Sequence, residues 1–577
     1  MDYLHNYEKW IASDVLSATD KQELLEVKND TKELEDRFYR DLEFGTAGMR
    51  GVLGIGTNRL NIYNVRHASA GVAAYVNKEG KAAKDKGVLI GYDTRIMSRE
   101  FAEETAKVLA NAGIKVFLFD TVHSVPEVSF GIRTLGCAAG VMITASHNPK
   151  EYNGYKVYGP DGGQLPPEAV QTVIDAMADT EIFSVEYMEL SDALAKGIVE
   201  YVGAELNEQF LQTIQKQQLN PDAVKEVADT FKLIYTPLHG TGSRPVKEIL
   251  KRIGFKNVLV VKEQDTEDGN FPTVASPNPE NAEAFTIAIE MAKENDVDVI
   301  IGTDPDCDRV GIVVRDAEGV YRTLTGNQTG ALLVEYILRS KSEQGVLPKD
   351  GVVIKTIVTT ELAAEIAKSY GIEIMNVFTG FKYIGEKMTE FDEKKNHTYL
   401  IGFEESYGYL VGTHARDKDA AVASMLIAEM AAYYKTKGKS LYEAMQDIYK
   451  KYGYFVEKTN SYTMPGKDGM EKMAKILNDL RDNAPTVISG LEVIKTTDYL
   501  TQTISYKCGT VKQLEGLPKS NVLRYDLSDE KSYFIVRPSG TEPKIKLYLG
   551  TSADSVDAAQ KIIDGIVAEA ETKFGLI

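Results

Sequence analysis

Short apolar runs rich in β-branched residues alternate with amphipathic stretches along most of the chain. Val88-Leu89-Ile90-Gly91 and Val116–Phe119 read as buried strands, with a helix over Arg99–Ala112 between them. The alternation returns as Leu233-Ile234-Tyr235, a helix near Val246–Ile253, the strand Val258–Val261, a helix over Ala282–Glu294 and the strand Val297–Ile301. It returns again as Val352–Ile354, a helix over Glu361–Tyr370, Ile374–Phe378 and Tyr399–Ile401. Strands alternating with helices of this length predict layered α/β units. At the start, Leu24, Leu25, Val27, Leu34 and Phe38 recur at helical spacing and predict a helical lead-in. The C-terminal part differs: a long helix near Met470–Arg481, several strands and a helix over Asp554–Lys573, after a boundary expected near 437–460. One echo stands out. Val88–Arg95 resembles Val299–Asp304 with the Asp308-Arg309 that follows, each ending a buried strand in a glycine turn and an acidic loop. Repeated domains explain it, as does the commonness of a strand–Gly–Asp pattern.

The length of 577 residues corresponds to about four domains. Apolar residues at 43% and charged residues at 26% exclude wholesale disorder. A formal charge of −19 argues against a broad grip on nucleic acid or on an anionic membrane. A phosphate-bearing ligand must therefore be held by a local positive cluster. Cys137, Cys307 and Cys508 lie too far apart in sequence to suggest a disulfide framework or a cysteine-based zinc site. With no basic region leading into an apolar stretch at the N-terminus, and no run long enough to span a bilayer, a cytoplasmic enzyme is expected.

Four clusters carry chemistry. Val141-Met142-Ile143 delivers Thr144-Ala145-Ser146-His147-Asn148-Pro149 to a loop tip, where a hydroxyl can be exposed and His147 could handle a proton. The plain alternative is a loop that caps the next helix, and no Gly-x-Ser-x-Gly elbow surrounds Ser146. In Gly302-Thr303-Asp304-Pro305-Asp306-Cys307-Asp308-Arg309, three aspartates at alternate positions of an extended loop point to one side. Their repulsion calls for a cation, and an all-oxygen set with room for a phosphate oxygen suits Mg²⁺. An EF-hand is excluded by Arg309 and Arg315 at its sixth and twelfth positions, while a phosphatase with a nucleophilic Asp-x-Asp is a fair rival. Gly402-Phe403-Glu404-Glu405-Ser406-Tyr407-Gly408 offers Glu404 and Ser406 for sugar hydroxyls, or is a plain turn. Arg537-Pro538-Ser539-Gly540-Thr541-Glu542-Pro543 combines an arginine, hydroxyls and a glycine into a compact phosphate cradle, or a Pro/Gly turn.

In this order and spacing the clusters resemble the α-D-phosphohexomutase superfamily, from Phe44-Gly45-Thr46-Ala47-Gly48-Met49-Arg50-Gly51 to Lys546. Thr379-Gly380-Phe381-Lys382 and Arg416-Asp417-Lys418-Asp419 resemble the phosphoglucomutase branch. Pro305 stands where the metal loop of that family commonly has glycine. The resemblance implies three related mixed α/β domains plus a C-terminal α+β domain of TATA-binding-protein-like type around a central cleft. Residues 1–205 would carry the phosphoserine loop, 206–322 the metal loop, 323–445 the sugar-binding loops and 455–577 the phosphate cradle. It implies a phosphoglucomutase interconverting glucose 1-phosphate and glucose 6-phosphate through a phosphoserine at Ser146 and glucose 1,6-bisphosphate. Phosphomannomutases and phosphopentomutases share the pattern, and a non-catalytic sugar-phosphate sensor is the alternative of another class. By the same resemblance one Mg²⁺ is held by Ser146, Asp304, Asp306 and Asp308. Arg50, His147 and Lys418 join Ser146 in catalysis, with Lys418 expected to shift its pKa through enclosure with other cations. The substrate is met by Arg309, Thr379, Gly380, Phe381, Lys382, Glu404, Ser406, Arg537, Ser539, Gly540 and Thr541.

Overall fold

A continuous apolar run suits a strand covered on both faces, and Val88–Tyr92, Ala139–Ile143 and Val299–Thr303 are buried along their whole length. The computed structural model describes residues 3–45, 48–464, 466–539 and 544–576. Gly540 and Thr541, expected in the phosphate cradle, lie outside the described residues. The chain divides into two units, Met1–Thr329 with Gly380–Leu441, and Gly330–Thr379 with Tyr442–Ile577.

In the first unit, Val116–Phe119, Val88–Tyr92 and Ala139–Ile143 run parallel, and Tyr152–Tyr158 adds antiparallel to the last. Met49–Val52 and Val199–Val202 form the two edges of this six-stranded sheet. A five-stranded sheet repeats the order, with parallel Asn257–Val260, Lys232–Thr236 and Val299–Thr303, then antiparallel Val310–Arg315 and Tyr321–Leu324. Helices Ser98–Asn111 and Val125–Leu135 pack on the first sheet, Ser243–Arg252 and Thr286–Asn295 on the second. The hairpin Thr398–Phe403 and Tyr409–Leu410, with helices Phe381–Lys394 and Ala420–Thr436, belongs to the same unit. Three helices, Tyr3–Ala12, Ala18–Glu26 and Thr31–Phe38, form the lead-in; they bury Trp10, Leu24, Leu34 and Phe38 against Tyr63, while Leu25 faces solvent.

The two sheets correct the sequence echo. Topologically Val88–Tyr92 matches Lys232–Thr236, whereas Val299–Thr303 matches Ala139–Ile143. The repeat is therefore real, but the two similar strings occupy different strands of it. The equivalent positions are the turns before each antiparallel strand. The Ser146 loop follows Ala139–Ile143, the aspartate loop follows Val299–Thr303, and the Glu404 turn follows Thr398–Phe403. Each of the three functional loops thus leaves a strand that is paired with an antiparallel neighbour.

The second unit holds the parallel pair Gly351–Thr356 and Glu373–Val377, linked by the helix Leu362–Ser369. Its C-terminal part is an antiparallel sheet in the order Tyr454–Thr463, Lys544–Ala553, Tyr533–Pro538, Leu523–Leu527, Leu491–Asp498, Thr503–Tyr506 and Val511–Gln513. Leu523–Leu527 buries alternate residues, as expected where helices cover one face. Helices Gly466–Asp482 and Val556–Lys573 supply that cover, with Leu477, Leu480 and Ile563 packed against Leu523, Phe534 and Leu547. Among the described residues no helix is long and apolar enough to cross a membrane.

Candidate functional site

Ser146 lies three residues beyond the end of a fully buried strand, in a backbone conformation with φ 52° that side-chain-bearing residues rarely adopt. It is not the exposed tip that the sequence suggests: only 3% of the residue meets solvent. The loop folds back so that Ser146 Oγ donates to Asp304 Oδ2 at 2.8 Å and lies 3.1 Å from His147 Nδ1. Burial, then the charges of Arg309 and Arg50, push the His147 imidazole well below its ordinary pKa, so the ring is neutral at pH 7. Arg50, on the strand Met49–Val52, donates to Asn148 Oδ1 at 3.0 Å and so stands beside the same loop.

The aspartate loop is a tight turn rather than the extended segment expected. Cys307 takes φ 54°, its N–H donates to Asp304 O at 3.0 Å, and the N–H groups of Asp308 and Arg309 donate to Asp304 Oδ1 at 3.1 and 2.9 Å. Curling, not strand alternation, gathers the carboxylates of Asp304, Asp306 and Asp308, with one oxygen of each within 4.8 Å of the others. All three side chains are buried, and Asp306 Oδ1 and Asp308 Oδ1 accept no hydrogen bond. Burial and the neighbouring Asp306 and Asp308 raise Asp304 well above the usual carboxylate range. Burial also disfavours a charged Asp308, but Lys418, Lys156 and Arg309 hold it below that range. Two orphaned oxygens in a buried triacid are what a divalent cation with oxygen ligands would satisfy, so the residues present fit a metal.

Two further groups approach this loop. Lys156 Nζ lies 2.9 Å from Asp306 Oδ2 and 3.6 Å from Asp308 Oδ2, and Thr144 Oγ1 donates to Asp306 Oδ2 at 3.1 Å. Thr144 belongs to the serine cluster named from the sequence and Lys156 to the Asn153-Gly154-Tyr155-Lys156 segment that follows it, but neither is assigned a role from sequence. The available signal was a lysine inside Tyr152–Tyr158, a strand otherwise made of tyrosine, valine, glycine and asparagine and buried almost throughout. Lys418 Nζ sits 3.0 Å from Asp308 Oδ2 and 3.1 Å from Asp417 Oδ1. Its expected enclosure by cations is corrected: burial opposes its charge, but Asp308, Asp417 and Glu404 outweigh that and raise its pKa. Lys418 is therefore a fixed cation. Arg309 pairs through Nη1 with Glu280.

Glu404 accepts from the Gly380 N–H at 2.8 Å, and Phe381, buried at the start of its helix, lies 5.7 Å beneath the Lys418 ammonium. Lys382 Nζ stands 4.9 Å over the Tyr383 ring. Ser406 lies two residues beyond Glu404 in the same half-buried turn. The first unit thus brings Ser146, His147, Arg50, Arg309, the three aspartates, Lys418, Phe381, Gly380 and Glu404 together. Arg537 and Ser539 belong to the second unit, as does Thr379. Arg537 donates through Nη2 to the Tyr548 hydroxyl at 3.0 Å, and the Ser539 N–H donates to Lys544 O at 2.7 Å.

Burial, with the nearby Glu405, pushes Glu404 up to about 7. Its unfolded value is about 4.3, so the fold favours the protonated form, and the associated stability is lost as pH rises towards about 7. Glu404→Gln keeps the acceptor for Gly380 and removes the charge. In metal-free protein, melts should coincide near pH 4 and the variant should melt higher at pH 8. An equal difference at both pH values would show that Glu404 is not raised.

Profiles of the phosphoglucomutase/phosphomannomutase α/β/α domains I, II and III match residues 41–182, 208–319 and 325–452. The chain belongs to the phosphoglucomutase/phosphomannomutase family. Among curated members of that family, a phosphoglucomutase of Staphylococcus haemolyticus is 37% identical over 545 residues, covering 93% of this chain and 95% of the relative. A phosphoglucomutase of Staphylococcus epidermidis is 39% identical over 542 residues, with the same coverage of 93% and 95%. The fold is shared with a phosphoglucomutase/phosphomannomutase family protein of Burkholderia thailandensis, at TM-score 0.65 and 18% identity over 91% of this chain and 96% of that one. It is shared also with the open form of Paramecium parafusin, a phosphoglucomutase, at TM-score 0.67 and 18% identity over 92% and 95%. The family's three α/β/α domains account for the repeated topology that delivers the serine, aspartate and glutamate loops.

Proposed function

We propose that this member of the family is a phosphoglucomutase, which moves a phosphoryl group between the 1- and 6-positions of glucose through a phosphoserine at Ser146. The observation that carries the reading is the contact of Ser146 Oγ with Asp304 Oδ2 at 2.8 Å, at the edge of a buried triacid with unsatisfied oxygens. The curated relatives named phosphoglucomutase support glucose as the sugar.

Phosphoryl transfer needs its charge neutralised and its partners aligned more than it needs covalent chemistry. Asp304, Asp306 and Asp308 would hold Mg²⁺, joined by an oxygen on Ser146, and the ion would supply Lewis-acid neutralisation of the phosphoryl oxygens. The protein's own cations do the rest. Lys156 and Lys418 lie against the carboxylates, and Arg50 and Arg309 flank the serine loop, so four cationic side chains, with the ion, would offset the site's carboxylates and a dianionic phosphoryl group. In the forward half, the phosphoserine O–P bond breaks as a sugar hydroxyl oxygen forms its own bond to phosphorus. The hydroxyl gives up its proton and Ser146 is left as the free alcohol. The resulting glucose 1,6-bisphosphate turns over and returns its other phosphoryl group by the reverse step. Neutral His147, 3.1 Å from Ser146 Oγ, would relay a proton at that oxygen. Glu404 would accept from ring hydroxyls, with Ser406 as a neighbouring partner and Lys382 reaching towards a phosphate. Arg537, Ser539, Gly540 and Thr541 would cradle the phosphate that is not reacting.

A panel of glucose, mannose and ribose 1-phosphates, each primed with its bisphosphate, tests the assignment. Glucose 1-phosphate should give the highest kcat/KM. A higher value for ribose 1-phosphate would favour a phosphopentomutase, and a higher value for mannose 1-phosphate a phosphomannomutase. No turnover of any, with retained binding, would favour a sensor.

A further inference from the structure

The strand–Gly–Asp motif at Gly91-Tyr92-Asp93-Thr94-Arg95 has no counterpart in the metal loop once the sheets are aligned, and it touches none of the aspartates. It ends instead under the serine loop. Arg95 has a side chain with 0% exposure, and its guanidinium faces four backbone carbonyls of that loop. Nη2 donates to Ser146 O at 2.5 Å and to Asn148 O. Nη1 donates to Pro149 O and Tyr152 O, both at 2.9 Å. Asp93, also fully buried, stands behind it, with Oδ2 3.4 Å from Arg95 Nε and Oδ1 accepting the Arg95 N–H at 2.9 Å. The Phe271 ring covers the guanidinium from the second sheet's side, 5.0 Å away.

The geometry points to Arg95 as a positioning residue for phosphoryl transfer, holding the loop so that Ser146 Oγ stays aimed at the metal-binding carboxylates. Carbonyls turned inward must be paired, and a planar guanidinium with five donors pairs four of them from one centre, which an ammonium with three donors cannot do. The same contacts fix Ser146 at φ 52°, the conformation that turns its hydroxyl towards Asp304. Since the side chain has no exposed surface, it does not meet the sugar phosphate. It acts on the reaction only through the loop. Both halves of the proposed cycle use the same oxygen, so a loop that wanders should slow both.

The inference rests on the phosphoserine reading, and the test separates the two. Wild type, Arg95→Lys and Asp93→Asn are incubated with glucose 1,6-bisphosphate and Mg²⁺, and phosphate on the Ser146 peptide is followed in time by mass spectrometry, beside steady-state kinetics and thermal melts. Wild-type protein should be phosphorylated rapidly. Folded Arg95→Lys should be phosphorylated about 100-fold more slowly, with kcat reduced by a similar factor and KM changed by less than about threefold. Asp93→Asn, which keeps the shape and removes only the charge behind the guanidinium, should show the same split at about tenfold. If Arg95→Lys does not fold, Asp93→Asn decides. A merely structural arginine would lower the melting temperature but leave the kcat of folded protein unchanged, which would overturn the proposal. So would a rise in KM at constant kcat. A wild-type Ser146 that takes no phosphate would overturn the phosphoserine reading, and this inference with it.

Discussion

Ser146→Ala should lower kcat for glucose 1-phosphate by at least about 10⁴-fold, because it removes the hydroxyl that bonds to Asp304 and is proposed to carry the phosphoryl group. The neighbouring Thr144 Oγ1 donates to Asp306 rather than to Asp304 and accepts the Ser146 N–H at 2.8 Å, which holds the serine loop in place. The fold should survive. The substitution removes one hydrogen bond to Asp304, worth about 1 kcal/mol, and leaves the flanking strands untouched. The melting temperature should move by no more than about 4 °C. Assay and melt together separate lost chemistry from lost structure. More than about one per cent residual turnover in a folded variant would mean that another group carries the phosphoryl.

Asp306→Asn should lower turnover by about 100-fold or more at low Mg²⁺, and a chelator should do the same to the wild type until Mg²⁺ is restored. Stability should respond differently from activity. Three buried carboxylates repel one another in the metal-free protein, as the raised Asp304 reflects. Asparagine relieves part of that repulsion while still accepting from Thr144, though it gives up the ion pair to Lys156. The metal-free variant should therefore melt close to the wild type. Added Mg²⁺ should raise the melting temperature of the wild type, since an ion bound only to the folded state stabilises it, and should raise that of Asp306→Asn much less. Equal stabilisation of both proteins would remove Asp306 from the metal-binding set.

Much of this site was legible in the sequence because its chemistry is concentrated in contiguous strings. Ser146 with His147, the three aspartates and the Glu404 turn each follow a strand whose apolar run is plain, so both their identity and their place at a strand end could be read. What escaped were the contacts made across elements. Lys156 belongs to an antiparallel strand whose register, with Met142 opposite Lys156, is set only by pairing with Ala139–Ile143. Burial of Ser146 depends on the aspartate loop of a different sheet. The curl of that loop depends on Cys307 adopting a conformation that its residue type does not announce. The echo between Val88–Arg95 and Val299–Arg309 fell on a real repeat without giving its alignment, because sequence likeness was local, whereas the repeat is a repeat of strand order. Lys418 illustrates the same limit in electrostatics: its sequence neighbour Asp417 pairs with it, but the other carboxylate in contact, Asp308, comes from another loop.

The central claim is that Ser146 is the covalent carrier. The most direct measurement is to incubate the dephosphorylated protein with glucose 1,6-bisphosphate and Mg²⁺, digest it, and locate the phosphate by mass spectrometry. One phosphate on Ser146, gained with the bisphosphate and lost on addition of glucose 1-phosphate or glucose 6-phosphate, is the expected result. Phosphate on Asp304, or a catalytically competent protein that carries none, would contradict it.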